Sequence, residues 1–169
     1  LAIIGGQLPA DLENLLQVIP YATDELALVL PSIHPLSNKK ELLKEDLYKL
    51  NFVTLDSQST TRKVVDKLLQ DSGLDIQRLK IEMELNSLEA IKNAVQSGLG
   101  ASFLPVVSIE RELAGGTIHK AFVADLEVKR ELKLITNPSR YTSRASEVFK
   151  KNILPQFASL ESPLRQILI

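Results

Sequence analysis

The sequence predicts an α/β fold built on a parallel sheet, in one domain or two small lobes. Three observations carry that expectation. From Lys44 to Ala124, apolar runs of strand length alternate with runs whose apolar residues recur at helical spacing. Such alternation gives parallel strands joined by right-handed crossovers. The chain also opens on an unbroken apolar run, Leu1-Ala2-Ile3-Ile4, of the kind buried on both faces of a parallel sheet. Finally, a proline-flanked break, Pro31-Ser32-Ile33-His34-Pro35, precedes the regular alternation and marks a candidate crossing between lobes.

Taken in order, Leu1–Ile4 is a strand ended by Gly5-Gly6, and Asp11–Gln17 is loosely helical or loop. Leu15–Ile19 and Glu25–Leu30 bracket Pro20-Tyr21-Ala22-Thr23, which predicts two strands around a turn. Lys44–Leu50 is a short helix and Asn51–Leu55 a strand. Thr61–Gln70 is a helix with Val64, Val65, Leu68 and Leu69 on one face and Ser72-Gly73 as its stop. Ile81–Leu85 is a strand with Glu82 and Glu84 alternating outward. Leu88–Ser97 is a helix capped by Asn86 or Ser87 and stopped by Gly98. Ala101–Leu104 is a strand, Val106–Ala114 a helix, and Thr117–Ala124 and Glu127–Thr136 are strands. Ser143–Leu154 is the last helix, with Ser143 as N-cap, and Ser159–Ile169 is weakly patterned.

Composition narrows the function. Among 169 residues, 44% are hydrophobic and 24% charged, enough to bury a core. The net charge of −1 argues against a surface that binds nucleic acid by bulk electrostatics. There is no cysteine, which excludes disulfides and thiolate metal sites and fits a reducing compartment. No apolar run reaches membrane-spanning length. The chain begins with Leu in a strand-like run with no preceding cap, and reads as a fragment of a longer protein.

Catalytic chemistry has little support. His34 and His119 lie far apart, without carboxylates at metal-ligand spacing. No P-loop, G-x-S-x-G or G-x-G-x-x-G run is present. Charged groups such as Lys40-Glu41 and Lys44-Glu45-Asp46 read as solvated surface.

The unusual stretch is LDSQSTTRKVVDKLL, residues 55–69. In open α/β sheets, ligands bind outside the carboxyl ends of the strands. Asp56–Thr61 sits at such an end and opens a helix, where unpaired N–H groups and the dipole favour anions. Ser57, Gln58, Ser59, Thr60 and Thr61 add hydroxyl and amide groups, and Arg62 follows in the first turn. Together they describe a phosphate or carboxylate site. Ordinary capping explains part of the same pattern, and Arg62 can pair with Asp66 at i,i+4 spacing. Asn86 and Ser87 occupy the equivalent place after the next strand, again as cap or ligand group. Gly6 ends the first strand, where a ligand or the chain can approach closely. Ser102 and Phe103 point to opposite sides of their strand, so one of them can face a cleft.

The order of these segments resembles the effector-binding domain of a LysR-type transcriptional regulator. LAIIGG followed by ELALVLPSIHPL resembles the end of the first lobe and the crossing to the second. FVTLDSQSTTRKVVDKLL resembles the strand, polar turn and helix that open the effector cleft. The most specific piece is LNSLEAIKNAVQSGLGASFLP, a helix ending in G-x-G, then a strand and L-P. ITNPSRYTSRASEVFKKNIL resembles the returning strand and last helix of the first lobe, so the likeness spans Leu1 to about Phe157. LAIIGGQLP and LDSQSTTRKVVDKLL resemble most closely the CbbR/RbcR/CmpR/NdhR group, which controls carbon fixation and inorganic-carbon uptake in autotrophic bacteria, cyanobacteria and plastids.

The resemblance implies a two-lobed α/β domain of the periplasmic-binding-protein type, with parallel-rich sheets and two hinge crossings. Lobe I would be residues 1–30 plus 127–169, lacking its N-terminal part, and lobe II residues 31–126. The expected crossings lie near Leu30–His34 and Ala124–Val128. It implies an allosteric sensor, not an enzyme, with no resident cofactor and a small anionic metabolite between the lobes. Ribulose 1,5-bisphosphate, 2-phosphoglycolate, 2-oxoglutarate and NADP(H) are the candidates. It further implies a homodimer or homotetramer, with Val64/Leu68 and Val148/Ile153 as candidate apolar faces. DNA contact would come only through a helix-turn-helix domain absent from this chain, with no membrane association, in the cytoplasm or plastid stroma. The rivals are a transporter's solute-binding protein of the same fold, a porphobilinogen-deaminase-type enzyme, which the missing cysteine disfavours, and a dehydratase-like enzyme with paired carboxylates.

Overall fold

The computed structural model describes residues 1–153. The chain divides into two compact units, Leu1–Asp24 with the chain from Arg130, and Glu25–Lys129. It passes between them inside one long strand, β2 (Gln17–Pro31), and again between Lys129 and Arg130. The segment Pro31–Pro35 lies within the second unit.

In the first unit, β1 (Ala2–Ile4) runs antiparallel to β7 (Lys129–Thr136), with Ala2 opposite Ile135 and Ile4 opposite Lys133. β7 is also hydrogen-bonded to β2. Tyr21 and Leu134 form the buried centre, packed by Ile19, Ala22, Leu132 and Phe149. Arg130 donates from Nε and Nη2 to Asp24 Oδ2 at 2.9 and 2.7 Å, so the buried carboxylate keeps a partner. Helix α1 (Ala10–Glu13) is a single turn. Helix α5 (Arg144–Val148) starts where the Ser143 hydroxyl accepts the Ser146 N–H, and continues as a π-helical turn over Phe149–Ile153. Leu154 and the weakly patterned Ser159–Ile169 lie outside the described residues.

The turn expected at Pro20–Thr23 is absent: β2 is one strand of 15 residues. No residue there requires a positive φ, and the extended backbone buries Tyr21 on one face of the strand and Asp24 on the other. A proline is tolerated where the ladder does not need its N–H.

The second unit holds the regular alternation. β3 (Asn51–Leu55), α2 (Thr60–Asp71), β4 (Lys80–Leu85), α3 (Leu88–Gln96) and β5 (Ser102–Pro105) follow in order. β3 and β4 are parallel, with Thr54 opposite Glu84 and Leu55 opposite Leu85. Ala101 joins the other side of β3 in parallel sense: Val53 N–H donates to Ala101 O at 2.9 Å and Ala101 N–H to Asn51 O at 2.8 Å. Parallel pairing is concentrated in these crossovers. β2 runs antiparallel to β5 and to β6 (Ile118–Ala121), so the sheets are mixed.

Side-chain alternation along β3 sends Phe52 and Val53 to two different cores. Phe52 packs with Leu28, Val65 and Leu69, and Val53 with Ile91, Val95 and Leu104. The G-x-G after α3 has a separate reason for each glycine. Gly98 holds a left-handed φ of +82°, which ends the helix. A Cβ on Gly100 would stand 2.6 Å from the Asn51 carbonyl oxygen, so only glycine lets the chain run this close to β3.

Several boundaries differ from the sequence expectation. Lys44–Lys49 is a 3-10 helix, and Val106–Ser108 is a 3-10 turn before the short α4 (Glu110–Ala114). The surface reading of Asp46 is also corrected. Asp46 is buried and accepts the Leu43 N–H at 3.1 Å and the Lys49 ammonium at 2.8 Å, with Lys39 at 3.4 Å. Lys92 is buried too, bridging Glu89 of α3 and Glu112 of α4 at 2.7 and 2.9 Å. These two carboxylates hold its ammonium charged and raise its pKa.

Candidate functional site

The carboxyl ends of β3 and β4 lie side by side, so the two polar turns that follow them are neighbours. The Asp56 N–H donates to the Leu85 carbonyl at 3.0 Å, joining the start of one turn to the end of the other strand. Ser57, Gln58, Ser59, Thr60, Thr61 and Arg62 are therefore brought together with Asn86 and Ser87. Ser57, Gln58, Thr60, Asn86 and Ser87 are exposed, and Ser59 and Thr61 half-buried.

Each turn is built by its own side chains. Asp56 Oδ1 accepts the Gln58 N–H at 3.0 Å and the Asp56 carbonyl accepts the Ser59 N–H at 3.0 Å, giving a closed turn. Ser59 is the N-cap of α2, its hydroxyl accepting the Arg62 N–H at 3.5 Å. Ser87 caps α3 and accepts the Ala90 N–H at 3.4 Å. Capping and ligand reach coexist here, because a cap satisfies only part of the open N–H set of a helix. Two helices of twelve and nine residues thus present their N-termini at the carboxyl ends of the parallel strands.

Arg62 is not a loose cation. Its Nε donates to Asp66 Oδ1 and Oδ2 at 2.9 and 2.8 Å, the pairing that i,i+4 spacing allows. Its Nη1 reaches Thr54 Oγ1 at 2.6 Å, the Leu55 carbonyl at 3.1 Å and Glu84 at 3.2 Å. One guanidinium therefore ties the first turn of α2 to the ends of β3 and β4. Thr54, Asp66 and Glu84 are the residues that sequence reasoning did not assign to the site. The signal was a polar Thr54 inside an apolar strand, directly opposite Glu84 once the register is known.

Phe103 lies on β5 with its ring parallel to Phe52, 6.1 Å apart with planes 4° from each other. With Thr61, Arg62, Thr54 and Ile81 it lines a recess beside the α2 N-terminus. Ser102 lines the same recess, and only 2% of it is solvent-accessible. Gly6 follows β1 in the first unit and is half-buried. Among the described residues no group of His, Cys, Asp or Glu is arranged to hold a metal, and no helix is long and apolar enough to cross a membrane.

Comparison with known proteins adds the family. The family model for the LysR substrate binding domain matches residues 1–158. A "Probable RuBisCO transcriptional regulator" of Synechocystis sp. (strain ATCC 27184 / PCC 6803 / Kazusa) is 57% identical over 159 residues, covering 94% of this chain and 46% of that protein. A protein of the same description from Porphyra purpurea is 55% identical over 159 residues, covering 94% of this chain and 50% of its own. The chain thus spans about half the length of the curated relatives it matches. Among solved structures, the Synechocystis PCC6803 CcmR regulatory domain in complex with 2-PG superposes with a TM-score of 0.73. The identity there is 24%, over 87% of this chain and 68% of the other, which establishes a shared fold. A family model matched from Leu1 to residue 158 shows that the chain belongs to the LysR substrate-binding-domain family.

Proposed function

We propose that this chain is the effector-sensing part of a transcriptional regulator of carbon-fixation or inorganic-carbon-uptake genes, and that its effector is a small anionic carbon metabolite, with phosphorylated compounds favoured. The observation that carries the reading is the 57% identity, over 94% of this chain, to a protein described as a RuBisCO transcriptional regulator. The CcmR regulatory domain, of the same fold, is in complex with 2-PG in its solved structure, which supports a phosphorylated ligand.

The paired turns after β3 and β4 suit that chemistry. Backbone N–H groups at the start of α2, with the hydroxyls of Ser57, Ser59, Thr60 and Thr61, offer donors to phosphate oxygens. Asn86 and Ser87 stand beside them, and Ser102 and Phe103 supply a partly apolar wall for a short carbon chain. Arg62 acts as a positioning residue that fixes the turn, because its fork is already hydrogen-bonded. The effector candidates are 2-phosphoglycolate, ribulose 1,5-bisphosphate, 2-oxoglutarate and NADP(H), with no resident cofactor. In the whole regulator, effector binding shifts a homodimer or homotetramer between arrangements of a separate DNA-binding domain. The size of that shift is limited by the difference in affinity for the two states.

The test is a thermal-shift and calorimetric panel of these four compounds on this chain and on Ser59→Ala/Thr60→Ala. A ligand at a hundred times its Kd adds about 2.7 kcal/mol, a rise of roughly 5–10 °C for a chain of this size. The expected result is a rise with a phosphorylated compound that the double variant loses. A rise of equal size in the double variant would place the ligand elsewhere, and no response to any of the four would sink the effector reading.

A further inference from the structure

We infer that the second unit carries another small-molecule site, distinct from the paired turns, and that its ligand is a small zwitterion with an apolar body, of the neutral α-amino-acid class. The site is a cavity of about 190 Å³ on the other side of Phe103, bounded by β2, β5, β6 and the segment up to Val128. Liquid water occupies roughly 30 Å³ per molecule, so the space holds an organic molecule of a few carbons.

The lining has two kinds of surface. Leu28, Phe103 and Leu126 give it an apolar part, which suits a short aliphatic chain. The charged part consists of Lys120, Glu25 and Glu127. Lys120 is only 26% exposed, donates to Glu25 Oε1 at 2.6 Å and sits 5.5 Å from the centre of the Phe122 ring. Phe122 itself is 62% exposed, an aromatic left in water at the edge of the cavity. Glu127 is 71% exposed and also meets Lys129, which is not part of the lining.

Charge selects the ligand class. Two carboxylates face one ammonium in the lining, so a phosphate dianion is opposed here, in contrast to the helix N-termini beyond β3 and β4. A plain carboxylate at Lys120 would have to share that ammonium with Glu25, setting three carboxylates against one cation and losing their mutual balance. A ligand carrying both groups avoids that loss. Its carboxylate takes Lys120, and its ammonium lies with Glu25 and Glu127. Binding then exchanges the Lys120–Glu25 pair for a carboxylate on Lys120 and an ammonium shared by Glu25 and Glu127, while the apolar body covers Phe122 and Leu126. Phe103 lines this cavity and the recess beside Arg62 alike.

The inference stands independently of the effector reading, and its experiment separates the two. The probes are L-leucine, 4-methylpentanoate as its carboxylate half and isoamylamine as its ammonium half, titrated into this chain by calorimetry. Saturable leucine binding is expected, with each half binding at least tenfold more weakly. Lys120→Met and Glu127→Gln should each weaken leucine tenfold or more, while Ser59→Ala/Thr60→Ala leaves it unchanged. Glu127 is exposed, so its variant folds even if Lys120→Met does not. The proposal is overturned by no leucine binding, by either half binding as tightly as leucine, or by leucine affinity unchanged in Glu127→Gln.

Discussion

Replacing Arg62 by methionine keeps an aliphatic stem and removes the fork. In the protein that fork is 14% exposed and serves Thr54 Oγ1, the Leu55 carbonyl, and the carboxylates of Asp66 and Glu84. Glu84 is 42% exposed, so its ion pair contributes little. The bonds to Asp66, Thr54 and Leu55 are better shielded, and charged hydrogen bonds of this kind are worth about 1.5–3 kcal/mol. The loss expected for Arg62→Met is therefore about 2–3 kcal/mol. For a chain of this size that is a fall in melting temperature of roughly 4–12 °C. Arg62→Lys should recover less than half, because a point charge cannot serve β3, β4 and α2 together. The assay is thermal unfolding followed by circular dichroism, with and without 2-phosphoglycolate. If Arg62 positions the turn, the ligand-free protein is destabilised and a double variant with Glu84→Gln adds almost nothing. A ligand-free melting temperature unchanged by Arg62→Met, with 2-phosphoglycolate binding abolished, refutes the positioning argument and makes Arg62 a direct ligand.

Two further outcomes follow from the same geometry. Lys49 and the Leu43 N–H, each bonded to its carboxylate, hold Asp46 well below the usual carboxylate range, at about 2. A depressed folded pKa stabilises the native state above the unfolded value, near 4, and that contribution fades as pH falls from about 4 toward 2. Asp46→Asn should thus lower the melting temperature at pH 7 and flatten its fall between pH 4 and 2, measured by calorimetry across that range; an unchanged slope counts against the assignment. Gly100→Ala places a methyl 2.6 Å from the Asn51 carbonyl oxygen, and overpacking of this kind costs about 1–3 kcal/mol. Chemical denaturation should show that loss, and a neutral result would mean that β3 and the strand beside it can separate freely.

What could be read from the sequence and what could not divide along the range of the interactions. β3, α2, β4 and α3 were legible because each is decided by contacts within a few residues: a period of two or 3.6, a serine cap, a glycine stop. The two turns were legible for the same reason, since Ser59 and Ser87 bond to N–H groups three residues on. The family was legible from the order of such segments, and the match over residues 1–158 agrees with it. The tertiary structure alone decided what depends on distant partners. It set Glu84 against Arg62 across 22 residues and Arg130 against Asp24 across 106. It also carried β2 straight through a proline where local signals suggested a turn, and buried Asp46, which local polarity had placed in water. Local preference is worth tenths of a kcal/mol per residue, whereas burying a strand or satisfying a buried charge is worth several, so the longer-range term prevails wherever the two conflict.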